Sequence, residues 1–253
     1  LLDVAQGESV TAFLSVKEFE DGKYVFMATE KGVVKKTELT AFSNPRRGGI
    51  TAIRLDEGDK LIETLMTDGK LSVLLATEKG QAIRFDESDA RPMGRATRGV
   101  RGIKLTKGDR VVEASAPGED ETVLVVTENG YGKRTKVSEY RVQKRAGSGI
   151  INIKTTARNG LVVGMKPARD TDELVIMTAH GMVIRSPVKD ISVIGRNTQG
   201  VRLISLAKGD KVASVAVVMP EEEEQAPEEG AETSAPDEAQ PSAETEKAEP
   251  ADQ

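Results

Sequence analysis

The 253-residue sequence contains no cysteine, no tryptophan and one histidine, and its aromatics amount to three tyrosines and five phenylalanines. Without cysteine there is no disulfide and no thiolate metal site, a lack that fits a reducing compartment. A lone His180 and the lack of cysteine argue against a zinc site and against a His-based triad. Long apolar runs are missing too: near the end the longest is Val215–Met219, against about 20 residues for a membrane-spanning helix. The start, Leu1-Leu2-Asp3-Val4, has no basic region of a signal peptide. Neither a phosphate-binding G-x-x-x-x-G-K-S/T loop nor a metal-binding carboxylate cluster appears. Most catalytic chemistry is thereby excluded.

What is present is charge, unevenly placed. Lys and Arg number 36 and Asp and Glu 41, for a formal net charge of −5. Residues 220–253 hold 13 of the acids, five of the ten prolines and a single base, Lys247. Such a segment buries too little apolar surface to offset chain entropy, so a disordered acidic tail is expected there. It reads either as a solubilising tail or as a phosphate mimic competing for a basic surface. The preceding 219 residues are basic, with 35 bases against 28 acids.

That basic part repeats. VFMATEKGVVKKTEL (25–39), VLLATEKGQAIRFDE (73–87), VLVVTENGYGKRTKV (123–137) and LVIMTAHGMVIRSPV (174–188) align, with turn glycines Gly32, Gly80, Gly130 and Gly181 spaced 48, 50 and 51 residues apart. Gly49-Ile50, Gly99-Val100, Gly149-Ile150 and Gly200-Val201 follow in fixed phase. A G-D turn recurs at 57–60, 107–110 and 208–211, with Arg158-Asn159-Gly160 as its divergent counterpart.

Each unit reads as strands. Val25–Thr29 and Val123–Thr127 are short β-branched runs ending at a turn, and Asn129-Gly130 predicts a type I′ hairpin with φ > 0 at both central residues. An Arg/Gly-rich loop leads to third strands at Ile50–Leu55, Val100–Leu105, Ile150–Thr155 and Val201–Leu206. Fourth strands follow at Leu61–Leu65, Val111–Ala114, Leu161–Met165 and Val212–Val218. Four strands in about 50 residues make a propeller-like blade, so the fold class is all-β, with about four and a half blades and no convincing amphipathic helix. The expected limits are a half-blade at 1–16, blades at about 17–66, 67–116, 117–166 and 167–219, and the tail at 220–253. Leu1–Val16 matches only the second half of a repeat, so the chain reads as a fragment that begins inside a blade.

Charge follows the same period. Bases gather after the hairpin turn and in the Arg/Gly loop, as in 131–154, where seven bases accompany one acid. Residues 113–128 hold five acids and no base. A propeller carries such bases to corresponding points on its perimeter, which makes a curved basic track. Lys and Arg neutralise phosphates and release counterions, and loop glycines bring backbone N–H groups close to phosphate oxygens. Scarce aromatics argue against single-strand stacking, so backbone-held duplex DNA suits the track better. The bland alternative is an ordinary solvated rim.

VFMATEKGVVKKTELTAF (25–42), MGRATRGVRGI (93–103), ENGYGKRT (128–135) and GRNTQGVRLI (195–204) closely resemble the C-terminal domain of the DNA gyrase A protein, and the resemblance spans the repeats and the acidic tail. It implies a β-pinwheel whose blades exchange strands and which wraps duplex DNA, within a type IIA topoisomerase of the bacterial, nucleoid-associated cytoplasm. It implies as partners the N-terminal part of the gyrase A protein and the gyrase B protein in an A2B2 holoenzyme, which uses ATP and Mg2+ for negative supercoiling. The segment itself is expected to carry no cofactor, no metal and no activity, the nucleophilic tyrosine lying in the N-terminal region. Tyr24, Tyr131, Tyr140 and His180 occupy repeat positions instead. The family's Q-R-R-G-G-K-G box belongs to an earlier blade, and Pro45-Arg46-Arg47-Gly48-Gly49-Ile50 and Gln143-Lys144-Arg145-Ala146-Gly147-Ser148-Gly149 echo it.

The expected phosphate contacts are Lys35, Lys36, Arg46, Arg47, Arg84, Arg95, Arg98, Arg101, Lys133, Arg134, Lys144, Arg145, Arg185, Arg196 and Arg202. Rival readings are the corresponding domain of topoisomerase IV and a propeller serving as a protein-interaction scaffold.

Overall fold

The computed structural model describes residues 7–219; the acidic tail and the first six residues of the expected half-blade lie outside the described residues. Residues 7–16 carry no strand.

Each repeat opens on a hairpin followed, after the Arg/Gly loop, by a third long strand. In the first these are β1 (Tyr24–Thr29), β2 (Val33–Glu38) and β3 (Leu61–Thr67). The second supplies β4 (Ser72–Thr77), β5 (Gln81–Asp86), the two-residue β6 (Val100–Arg101) and β7 (Val111–Ser115). The third supplies β8 (Thr122–Thr127), β9 (Tyr131–Lys136), the short β10 (Val142–Gln143) and β11 (Ile150–Ile151), and β12 (Val162–Ala168). The fourth supplies β13 (Glu173–Thr178), β14 (Val183–Pro187), the short β15 (Val201–Arg202) and β16 (Val212–Val218). The described residues contain no α-helix, only one-turn 3-10 segments after β2, β5, β9 and β14.

Four small sheets result, in the orders β3-β1-β2-β6, β7-β4-β5 with β10 and β11 on β5, β12-β8-β9-β15, and β16-β13-β14. The short strand of each later repeat therefore completes the sheet of the repeat before it. This alters one expectation. The six-residue third strands shrink to two paired residues, and Ile50–Leu55 forms no strand. Full-length pairing stops because the chain leaves the foreign sheet at once to reach its own innermost position.

The first strand of each hairpin is central in its sheet, and in the first three repeats it is packed on both faces, which is why it reads as a continuous apolar run; β13 leaves Met177 exposed. Val73 and Leu75 face Phe26 and Ala28 of the first sheet, while Leu74 and Ala76 face Val123 and Val125 of the third. Leu124 and Val126 then meet Leu174 and Ile176. The sheets are thus stacked face to face with one apolar layer between each pair. β3, β7, β12 and β16 touch in succession and form the inner edge, so β6, β10, β11 and β15 mark the perimeter. On the inner edge Lys166 Nζ lies 2.9 Å from Glu113 Oε1 and 3.9 Å from Glu63 Oε2, joining three blades. Burial pushes Glu113 up to about 7, against the pull of Lys166.

The hairpin turn differs from the expected type I′. Gly32, Gly80, Gly130 and Gly181 have φ of 77, 82, 78 and 87°, and Ala146 is the sole non-glycine residue at positive φ among the described residues. Asn129 therefore sits at negative φ. Each glycine N–H donates to the threonine carbonyl three residues back, at 2.9–3.0 Å. That is a type I turn closed by a left-handed glycine. The G-D turn explains itself at the same end: Asp59, Asp109 and Asp210 Oδ1 accept the N–H of Lys31, Lys79 and His180 at 2.9, 3.0 and 3.0 Å.

These glycines also lie where consecutive blades meet. Gly102 N–H donates to the Gly32 carbonyl at 2.8 Å, Asn152 to Gly80 at 2.8 Å and Leu203 to Gly130 at 2.9 Å. A Cβ on Gly80 would run into the Ile153 carbonyl, whereas one on Gly181 would meet nothing within 4 Å. Gly80→Ala is therefore expected to destabilise by more than about 2 kcal/mol, and Gly181→Ala by about 1 kcal/mol of backbone strain alone. Urea denaturation of both variants checks this; equal losses would mean that the turn, not the blade contact, demands glycine.

Candidate nucleic-acid interface

Two kinds of base occupy this fold. The residue four beyond the turn glycine is basic in every repeat: Lys36, Arg84, Arg134 and Arg185. The first three are buried, because β2, β5 and β9 present them to the following blade. Lys36 Nζ donates to the Glu87 carbonyl at 3.0 Å and lies 3.7 Å from the Glu87 carboxylate. Arg84 reaches the carbonyls of Val137 and Tyr140 at 3.5 and 3.4 Å and pairs with Glu119. Arg134 Nε donates to Ile191 O at 2.9 Å, and its guanidinium pairs with Asp170. All three saturate the carbonyls of the next blade's 3-10 turn. Arg185 is exposed and pairs within its own hairpin with Glu173.

One residue earlier stand Lys35, Ile83, Lys133 and Ile184. Lys35 is fully buried and donates to Ala52 O at 2.6 Å and to the Arg95 carbonyl. Lys133, equally buried, donates to the carbonyls of Gly195 and Arg196, both at 2.7 Å. Each therefore holds an Arg/Gly loop from beneath. Burial lowers Lys35 to about 8, with Arg95 adding repulsion. Burial likewise lowers Lys133 to about 8, Glu139 opposing the shift and Arg196 reinforcing it.

These findings correct the sequence expectation for five residues. Lys35, Lys36, Arg84, Lys133 and Arg134 are buried and hydrogen-bonded to backbone carbonyls inside the protein. Of the rest, Arg98 is bound to Asp56 and Lys144 to Asp89 on the surface. Arg145 donates to Asp89 O at 2.8 Å and Arg101 O at 3.0 Å, and Arg196 to Ile151 O at 2.8 Å, so both brace loops and make no ion pair among the described residues. Arg46, Arg47, Arg95, Arg101 and Arg202 form no ion pair among the described residues. Arg46 and Arg95 come from successive loops and line one 620 Å³ recess with Gly49, Thr51 and Thr97.

The loops are linked into a chain. Arg54 N–H donates to Thr97 O at 3.0 Å, Lys104 to Gly147 O at 2.8 Å and Lys154 to Thr198 O at 2.8 Å. Arg54, Lys104 and Lys154 occupy one repeat position, are exposed, and make no ion pair among the described residues. The sequence reading left this row out of its candidates, although its 50-residue spacing was visible. It also set Tyr131 aside and passed over Arg158, whose guanidinium lies 4.9 Å from the Tyr131 ring centre. The divergent Arg158-Asn159-Gly160 turn was the available signal for it. His180 is the turn residue it was read as, its N–H bound to Asp210.

Two lysines lowered to about 8 make stability depend on pH. Between pH 8 and 10.5 the unfolded chain keeps protons that the folded protein has released, so this contribution to stability rises with pH. Lys35→Ile and Lys133→Ile, which copy the buried Ile83 of the second blade, are expected to flatten the rise. Denaturation at pH 8 and 10 measures it, and identical pH dependence in wild type and variants would refute the assignment.

Comparison with known proteins places this architecture. The model of a family described as DNA gyrase C-terminal domain, beta-propeller, matches residues 23–68, 72–116, 121–169 and 172–219, one match per blade. The DNA gyrase A protein of Halalkalibacterium halodurans is 54% identical over 224 residues, covering 88% of this chain and 27% of the relative. The chain spans about a quarter of the length of the curated relatives it matches. Among solved structures, a DNA gyrase A C-terminal domain superposes with a TM-score of 0.78 at 26% identity, covering 86% of this chain and 73% of that one. The C-terminal domain of a DNA topoisomerase IV gives a TM-score of 0.76 at 29% identity, over 81% and 64% of the two chains.

Proposed function

Since the chain belongs to the DNA gyrase C-terminal domain family, we propose that it binds duplex DNA by the phosphate backbone and wraps it along the perimeter, as part of a gyrase A protein. The observation that carries this reading is the row of exposed cations, without an ion pair among the described residues, on loops hydrogen-bonded from one blade to the next. A phosphate bound on one blade finds the next cation at a spacing fixed by the stacking of the sheets, so a duplex following the row is bent around the inner edge. Backbone charge, not base edges, is what such a surface recognises.

On this reading the segment supplies no catalytic group. Strand cleavage, passage and ATP use belong to the N-terminal part of the gyrase A protein and to the gyrase B protein in an A2B2 enzyme, with Mg2+ required there. The setting is the bacterial cytoplasm at the nucleoid; no helix among the described residues is long and apolar enough to cross a membrane. The similar fold of a topoisomerase IV domain keeps that enzyme as the nearest alternative, but the 54% relative is a gyrase A protein.

The test is a salt titration of duplex binding by the 253-residue chain, read by fluorescence anisotropy. Contacts to six to ten phosphates predict an affinity falling by about 10³–10⁵ between roughly 50 and 200 mM salt, for unrelated sequences alike. Replacing Arg46 and Arg47 by Glu is expected to weaken all duplexes to the same degree. Binding indifferent to salt would favour the protein-scaffold reading instead.

A further inference from the structure

The boundary between the third and fourth blades breaks the repeat. At the position after the turn glycine stand Val33, Gln81, Tyr131 and Met182. The cross-strand partner of Val33 is Arg101, that of Gln81 is Ile151, and that of Tyr131 is Arg202. Only the third boundary sets an arginine against an aromatic ring. A second arginine comes from the other side. Arg158 lies with its guanidinium carbon 4.9 Å from the Tyr131 ring centre, and that of Arg202 lies 5.6 Å away. Arg202 also donates to the Tyr131 hydroxyl at 3.1 Å.

The platform is rigid. Tyr131 is buried, and Asn129 Nδ2 donates to the carbonyls of Ala157 and Arg158 at 3.3 and 3.2 Å. Asn159, wholly buried, ties the same turn to Lys154 O at 2.8 Å and Gln199 O at 3.1 Å. Both guanidinium groups are nevertheless exposed, and neither has a carboxylate partner among the described residues. They border a 290 Å³ recess with Ile204, Ser205 and Leu206. The one carboxylate lining it, Asp210, is engaged with the N–H groups of His180 and Lys211 at 3.0 and 2.8 Å. Two cations fixed at an aromatic platform, with most of their N–H donors turned to solvent, form a fork for a tetrahedral anion. Arg158 and then Arg202 hold the phenol below its ordinary value, and its oxygen accepts from Arg202.

We propose that Arg158 and Arg202, positioned by Tyr131, form a phosphate seat that grips one phosphodiester of the bound duplex at this boundary more firmly than the other boundaries do. The seat rests on the reading of the chain as a duplex-binding domain and gives the track a fixed point. At the other boundaries a single exposed arginine or none occupies this place, so the duplex is registered at one blade junction and held loosely elsewhere.

The experiment compares salt titrations of the whole chain and its variants on one duplex. Arg158→Ala and Arg202→Ala should each flatten the log–log slope by part of the roughly 0.9 that one phosphate contributes, and the double variant by the whole of it. Arg158→Lys keeps the charge but loses the planar fork, and should weaken binding at least about threefold with the slope nearly unchanged. Tyr131→Val, the residue of the first blade at this place, should weaken binding with no change in formal charge. Tyr131→Phe keeps the ring and guards against loss of folding. A steep wild-type slope that Arg158→Ala leaves untouched overturns the seat and spares the duplex reading. A wild-type chain that fails to bind duplex overturns both.

Discussion

A blade of this protein is not closed by its own residues. Its hairpin ends in a buried cation, Lys36, Arg84 or Arg134, whose donors are taken up by the 3-10 turn of the next blade. A cation removed from water is tolerable only where carbonyls or carboxylates replace its hydration, and removing one partner of such a pair costs about 3–5 kcal/mol. Consecutive blades are therefore bound to one relative position. The short strands β6, β11 and β15 add ladder bonds across the same boundary, and the hairpin glycines allow the backbones to approach closely enough to make them.

The perimeter inherits its regularity from that constraint. Because neighbouring blades are fixed, Lys35 and Lys133 can hold the following Arg/Gly loops from below, and Arg54, Lys104 and Lys154 can meet them from the side. Exposed arginines then project from loops whose carbonyls are already satisfied. The same logic makes Tyr131 informative, since it spends a buried aromatic on orienting two exposed cations.

Much of the fold was legible in the sequence because the repeat is written in residues with one possible use. Thr29, Thr77, Thr127 and Thr178, each three residues before a turn glycine, mark the hairpins. Asp59, Asp109 and Asp210 mark the turns that cap them. The turn type escaped, since Asn-Gly serves both a type I′ turn and a type I turn closed by glycine. The length of the third strand escaped as well: β-branched residues at Val100–Leu105 fit a strand, and nothing local says that only Val100 and Arg101 have a partner. The placement of the bases was half legible. Two sets of bases share one period, one facing the neighbouring blade and one facing water.

Spacing and residue type were enough to establish the repeat, the all-β architecture and the excess of positive charge outside the tail. Those properties are local and survive without a partner in space. Which cations face solvent was settled in three dimensions, because burial depends on the blade that follows some fifty residues later. Lys36 and Arg46 are equally basic on the page. The first is enclosed by Glu87 and the next sheet, the second projects from a loop, and burial makes one a bolt between blades while the other stays in solvent.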